Sequence, residues 1–471
     1  MTLFLPEIAM LLMAVVFFFA SLANLKETRL QALGLLFSAI TILVTVSSYG
    51  MEGTLFFNAY RVDAFSQIFK VIITFGLFIV IYLGKGLYGI DHTLRPEYYL
   101  FMTLSAFGLM CMSSAVELIT IILSLEIHSF ALFIIIPFRK HGAYRKQMEA
   151  GIKYTLFGAA ASGISLYGLS YIFGMTHTTY LADLVKIIPD VILEKPLMLI
   201  GLVMLLSGFF YKLALFPMHF WAPDVYEGAA NETAGFVATL PKIGAVALLI
   251  RLISLAGVDA GQFTWVLMAF AVLSMTFGNL SALVQDDIKR LLAYSSIAHA
   301  GYVMVGLLCA TDFGYLSGIY YIAGYLLMNL ACFFVIYNLS PQGENITFDD
   351  LGGLYKRSPL LALTLAVGAF GLAGIPPTIG FTGKLFLFTA AIKKDMYALV
   401  ILAVINTGIG IFYYLKIVRA AYTSVDSQMS PLHLKLTTSV LGIFFIVIIL
   451  LLGTFPQGFL DFAKEAVAAV I

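Results

Sequence analysis

Five ionisable residues interrupt long apolar stretches of this sequence: Glu126, Lys153, Lys212, Lys242 and Lys384. Carboxyl and amino groups take up and release protons, and lysine changes its proton affinity on burial far more readily than arginine does. A charge at the centre of a bilayer costs about 2.5–3.5 kcal/mol on insertion scales. Several such charges on separate apolar segments are too costly to be incidental. A row of titratable groups at membrane depth is a path for protons or cations. Three more residues join the candidates: His219, His299 and Lys289, the last beside Asp286, Asp287 and Arg290. For Glu126 and Lys212 the competing reading is a structural hydrogen-bonded pair. For Lys153 and Lys289, closer to segment ends, it is a snorkelling side chain or an interfacial charge cluster. Lys70 and Glu117 read as interfacial. Neither histidine has the partners or spacing of a metal site.

The elements that position these residues are membrane spans. Of 471 residues, 61% are hydrophobic and 11% charged, and the mean hydropathy is +0.98. Fourteen apolar runs follow one another, near 3–22, 29–50, 62–84, 98–115, 117–137, 147–173, 196–222, 232–255, 262–284, 290–310, 313–338, 359–392, 396–422 and 434–455. Runs of about 20 residues cross a bilayer core as helices, with the backbone satisfied internally. The first run has no basic leader and no small-residue cleavage site, so it reads as a retained helix. The expected fold is an all-α polytopic membrane protein.

Two spans carry breaks. One lies at Lys212–Pro217 in the seventh span, the other at Gly374, Pro376 and Pro377 in the twelfth. Proline removes a backbone donor and frees carbonyls inside the membrane. Interrupted spans five apart, an odd number, predict two inverted five-helix repeats with an ion path between them. The expected organisation is 1–97 (spans 1–3), 98–255 (first repeat, spans 4–8), 256–422 (second repeat, spans 9–13) and 423–471 (span 14 and tail).

Basic residues sort by loop. Lys26, Arg29, Lys85, Arg95, Arg139, Lys140, Arg145, Lys146, Lys356, Arg357, Lys416, Arg419 and Lys435 fall on one side. Fewer fall on the other, chiefly Arg61, Lys186, Lys195, Lys393 and Lys394. The positive-inside rule then places both termini outside the cytoplasm. Net charge is +1, and no basic stripe with interleaved aromatics points to nucleic acid. Cys111, Cys309 and Cys332 lie in apolar spans without a CxxC pair, and read as packing residues. The sequence holds no dinucleotide fingerprint, P-loop or haem-attachment motif. No cofactor or metal is expected in this chain.

Several runs resemble a known family. They are His219-Phe220-Trp221-Ala222-Pro223-Asp224-Val225-Tyr226-Glu227-Gly228, Ala238-Thr239-Leu240-Pro241-Lys242, Asp286 through Tyr302, Gly374 through Lys384, and the Leu5-Pro6-Glu7 start. Together they are similar to the antiporter-like membrane subunits of respiratory complex I, on the N-type branch. L-type members carry a long C-terminal lateral helix, and M-type members usually have glutamate at the Lys384 position. One stretch departs from the family: Asn231-Glu232-Thr233 stands where a Pro-rich run is usual.

The resemblance implies a proton-translocating, non-redox subunit of an NADH–quinone oxidoreductase. Flavin, iron–sulfur clusters and quinone would belong to partner subunits. Partners would be the L-, M-, K-, J- and A/H-type membrane subunits, and lipids, in the cell inner (plasma) membrane. It also implies that Glu126 pairs with Lys212 as a gate, that Lys242 connects two half-channels, and that Lys384 ends the relay near the opposite surface. The alternatives are an Mrp-type or stand-alone cation/proton antiporter, and a silent scaffold that only anchors its neighbours.

Overall fold

A computed structural model describes residues 2–23, 27–84, 86–140, 144–256, 261–340, 343–423 and 431–468. Lys26 and Lys85, used in the charge reading, lie outside the described residues. In chain order the helices are α1 (Leu5–Leu22), α2 (Glu27–Ser47), α3 (Ala64–Leu83), α4 (Arg95–Ser114), α5 (Leu118–Ile135), α6 (Tyr144–Thr176) and α7 (Leu181–Glu194). They continue with α8 (Pro196–Leu213), α9 (Trp221–Gly228), α10 (Asn231–Ile253), α11 (Gly261–Leu283), α12 (Ile288–Leu307) and α13 (Asp312–Leu339). The last are α14 (Leu354–Arg357), α15 (Pro359–Ala373), α16 (Ile379–Ile392), α17 (Tyr397–Tyr422), α18 (Leu436–Thr454) and α19 (Gln457–Ala468). A short antiparallel hairpin, β1 (Gly53–Leu55) with β2 (Tyr60–Val62), precedes α3.

Among the described residues, eleven helices are long and apolar enough to cross a membrane. The remaining expected spans are α4 and α12, each 20 residues but more polar, and the broken pair α15–α16. Each expected span therefore meets a helix or a broken pair. The seventh is α8 followed by the short α9.

Besides the one-turn α14, three elements went unforeseen. The polar link at 174–195 contains α7, whose buried Leu181, Leu184 and Ile188 lie at i, i+3 and i+7 on one face. The tail contains α19, with buried Leu460, Ala463 and Val467 on the same spacing. Both lay below the length of a span. The third is the hairpin, three residues per strand.

Burial divides the helices. α10 and α13 are enclosed on all sides and form the centre of the bundle. Leu43, Val46, Leu156, Leu166, Val440 and Ile443 point outward from α2, α6 and α18, as lipid-facing side chains do. α10 packs on α3, α4, α8, α12 and α13. Any charge on α10 is therefore held by protein alone.

Candidate functional site

The first break shows why lysines sit where they do. α8 ends because Ala214 takes the left-handed conformation (φ 59°, ψ 41°), and Pro217 follows a cis peptide bond. The last turn of a helix exposes unpaired carbonyls and carries about half a negative charge. Here that pole lies inside the bundle. Trp221 Nε1 donates to the Tyr211 carbonyl at 2.9 Å, and Lys242 Nζ donates to the Leu213 carbonyl at 2.6 Å. Lys242 stands mid-way along α10, as expected, and is buried. Lys212 lies in the last turn of α8 itself. Lys242 thus holds the C-terminus of α8, one residue beyond Lys212.

Lys212 does not meet Glu126 directly, which corrects the expected gate pair. Its Nζ donates to the Tyr154 hydroxyl at 3.1 Å, and lies 5.0 Å from the ring centroids of both Tyr154 and Tyr211. Cation–π attraction and one hydroxyl replace the carboxylate. Among the described residues no ion pair joins Glu126 to Lys212, and Glu126 Oε1 is buried without a hydrogen bond. The two charges still act on each other through space. The sequence pointed to a contact; the structure holds the pair apart, with Tyr154 from α6 taking the ammonium.

The second break repeats the arrangement. α15 ends at Ala373, Gly374 is left-handed (φ 84°, ψ 44°), and α16 begins at Ile379 after Pro376 and Pro377. Lys384 Nζ donates to the carbonyls of Leu372 (3.2 Å) and Ala373 (3.0 Å), and lies 4.6 Å from the Tyr302 ring centroid. It is buried against the break, 5% exposed.

Gly374 holds this geometry open. A Cβ added there would stand 2.9 Å from Lys384 Cδ. Ala214 shows that an alanine can occupy the left-handed position in the equivalent turn, at a cost of about 1–2 kcal/mol. Gly374→Ala is therefore expected to fold and to push Lys384 off its carbonyls. Proton translocation by the assembled protein should fall severalfold, measured in vesicles. Unchanged translocation would mean that the Lys384 position is unimportant.

The other expected residues divide into two groups. His299 is buried between the breaks, with Nδ1 2.6 Å from the Tyr321 hydroxyl and Nε2 3.0 Å from that of Tyr414. The charges of Lys384 and Lys242 both reach it. Lys289 is buried rather than interfacial, and donates to the Ala229 carbonyl at 2.9 Å. His219 packs its ring among Phe216, Phe220 and Phe277. Lys153 stands apart. It binds Asp224 (2.5 Å) and Glu149 (2.6 Å), in a half-exposed network with Arg290, Glu227 and Lys146.

Two buried ion pairs were missed. Lys70, read as interfacial, is enclosed: it binds Glu7 at 2.7 Å, and the Tyr60 hydroxyl donates to the same oxygen at 2.7 Å. α3 starts at Ala64, so Lys70 lies well inside the helix. Asp63 caps α3 and accepts from Arg251 Nη2 at 3.0 and 2.8 Å. The spacing of apolar runs could not reveal either pair, because the partners lie far apart in sequence. Among the described residues no group of three or more His, Cys, Asp or Glu side chains could hold a metal.

Known proteins share this arrangement of helices. Residues 115–410 match the family described as NADH:quinone oxidoreductase/Mrp antiporter, transmembrane. NADH-quinone oxidoreductase subunit N 2 of Opitutus terrae is 45% identical over 469 residues, covering 99% of this chain and 98% of that protein. A chain of respiratory complex I from Thermus thermophilus has a TM-score of 0.84 at 29% identity, over 99% of this chain and 100% of that one. A chain of the Mrp complex from Dietzia sp. DQ12-45-1b has a TM-score of 0.85 at 20% identity, over 100% and 97%, a likeness of fold alone.

Proposed function

The chain belongs to the NADH:quinone oxidoreductase/Mrp antiporter membrane family, on its subunit N branch, and we propose that it moves protons across the membrane as a non-redox subunit of an NADH–quinone oxidoreductase. One observation carries this reading: the succession of buried titratable groups through the two helix breaks. Lys212 lies in the last turn of α8, Lys242 closes on the C-terminus of α8, His299 lies within reach of the charges of Lys242 and Lys384, and Lys384 closes on the C-terminus of α15. Glu126 approaches one end and Lys289 lies near another. His219 lines the turn after the first break. Lys153 takes the surface end, where its carboxylate partners could feed or drain the path.

The redox chemistry belongs to partner subunits, which would hold the flavin, iron–sulfur clusters and quinone. Its neighbours in the membrane would be the other membrane subunits of the complex, of L-, M-, K-, J- and A/H-type. The Mrp-type reading rests on the shared family model and a likeness of fold, whereas the N-type relative matches nearly the whole chain at 45% identity. Co-purification tests the assignment. A tagged chain should bring down flavin- and iron–sulfur-containing subunits; recovery with only other antiporter subunits would support the Mrp reading.

Residues 98–255 and 256–422 serve in this reading as two inverted units. The matching order in the breaks supports it: a left-handed residue, then proline, with a lysine on the freed carbonyls. The basic end of the bundle would face the cytoplasm and both termini the other side. A reporter active only in the cytoplasm, fused after Ile471, should stay silent. Strong activity would reverse the orientation.

A further inference from the structure

Glu232 has no place in the relay described so far. It lies in the first turn of α10, next to Ala230 at the helix N-cap, and is 6% exposed. The charged and phenolic groups acting on it are Arg95 and Tyr98 of α4, Arg139 after α5, and Lys289 of α12, while Leu83 of α3 and Leu330 and Phe333 of α13 line the cavity beside it. Its carboxylate oxygens nevertheless make no hydrogen bond of good geometry, although the amides of Gly89 and of Glu232 itself lie near. Lys289, the cation best placed to bind it, is turned to the Ala229 carbonyl. Gly89 leaves it room, since a Cβ there would stand 3.0 Å from Glu232 Oε2. A buried carboxylate stabilises a fold only when paired and fully hydrogen-bonded. Glu232 is neither, so structural duty explains it poorly.

A polar line leads from Glu232 to the centre. Glu232, Leu330 and Phe333 line one small cavity. On α13, Phe333, Asn329 and Tyr325 are spaced four apart and share a face. Both amide atoms of Asn329 are buried without a hydrogen bond from the chain, and the Tyr325 hydroxyl makes none of good geometry, although the hydroxyls of Ser296 and Tyr226 lie near it. The Tyr325 ring packs 5.2 Å from that of His299. Beside it, the Tyr226 hydroxyl lies 3.1 Å from Ser296 Oγ. Unfilled hydrogen-bonding capacity in a row is what a water-borne proton path requires. The climb from Glu232 to Lys242 is ten residues of helix, about 15 Å.

We propose that Glu232 is a proton-loading carboxyl at the basic end of the bundle, supplying His299 and Lys242 by way of Asn329, Tyr325 and Ser296. A proton from bulk water forms an O–H bond on the carboxylate. That bond breaks as the proton moves inward, and no electron or further reactant is involved. The inference rests on the relay reading, to which it adds the loading site.

The test compares Glu232→Gln, Glu232→Asp and Lys212→Ala in the intact complex, in vesicles, at matched amounts of assembled protein. Glu232→Gln keeps the shape and removes the titratable group. It should lower proton translocation about tenfold, and Glu232→Asp should restore much of it. Infrared difference spectra of turnover should show a carboxyl C=O band in the wild type that Glu232→Gln lacks, a change that a packing role would not produce. If Glu232→Gln does not assemble, the Glu232→Asp complex should show that band shifted; an unshifted band overturns the proposal. Normal translocation by Glu232→Gln, with Lys212→Ala inactive, overturns the loading role and leaves the relay standing. Normal translocation by Lys212→Ala overturns the relay itself, and the loading role with it.

Discussion

Lys212→Ala is expected to lower proton pumping, and the quinone reduction coupled to it, about tenfold or more, while the complex still assembles. Lys212 combines burial, the C-terminal pole of a broken helix and a nearby carboxylate. Alanine removes the group that can hold a proton between Glu126 and Lys242. Assembly should survive, because the ammonium's hydrogen-bond partner is the neutral Tyr154 hydroxyl and no buried counter-charge loses a direct partner. Lys212→Arg should fail too, since guanidinium does not release its proton. Lys186, exposed on α7, is the control, and its replacement by alanine should leave pumping unchanged. The measurement is proton uptake into vesicles driven by quinone reduction. Near-normal pumping by Lys212→Ala would favour the scaffold reading.

Asp63→Ala is expected to have the largest effect on stability. Asp63 and Arg251 are both buried and meet through two hydrogen bonds. Removing the carboxylate leaves a guanidinium buried without its counter-ion, which costs about 3–5 kcal/mol. It also removes the cap of α3, in which Asp63 accepts from the Ser66 amide, a loss of about 1 kcal/mol. The assembled complex should be recovered in much lower amount and melt at lower temperature. Adding Arg251→Met should restore most of the loss, because a buried ion pair exchanged for apolar groups is often neutral. Assembly of Asp63→Ala at wild-type level would show that Arg251 finds another partner.

The spans and breaks were legible because they depend on local chemistry. Apolar length marks a helix, and proline after a lysine or glycine marks its interruption. The lysines were legible because a charge in an apolar run has few innocent explanations. What each lysine touches was not. Tyr154 is one tyrosine among 25, and nothing in its neighbours marks it as the partner of Lys212. The carbonyls that take Lys242 and Lys384 carry no sequence signal beyond the breaks themselves. Lys70 was read as interfacial because it stands within two turns of the start of α3; its enclosure depends on Glu7, 63 residues away in sequence, and on Tyr60. α7 was read as a link because its apolar face is narrow. Glu232 was visible only as a departure from a motif; its burial depends on α4, α12 and α13, far away in sequence.

Lys242 offers the most direct test of the relay. Its hydrogen-bond partner is a neutral carbonyl, and among the described residues it has no ion pair. Lys242→Met keeps the length of the side chain, removes the charge and strands no counter-ion. If Lys242 only packs, the substitution relieves a buried charge and pumping continues. If Lys242 carries protons between the two breaks, the assembled complex pumps about tenfold less or worse. The measurement is proton uptake per quinone reduced, in vesicles, for wild type and Lys242→Met at equal amounts of complex. The account predicts that uptake is lost with assembly intact; unchanged uptake would contradict it.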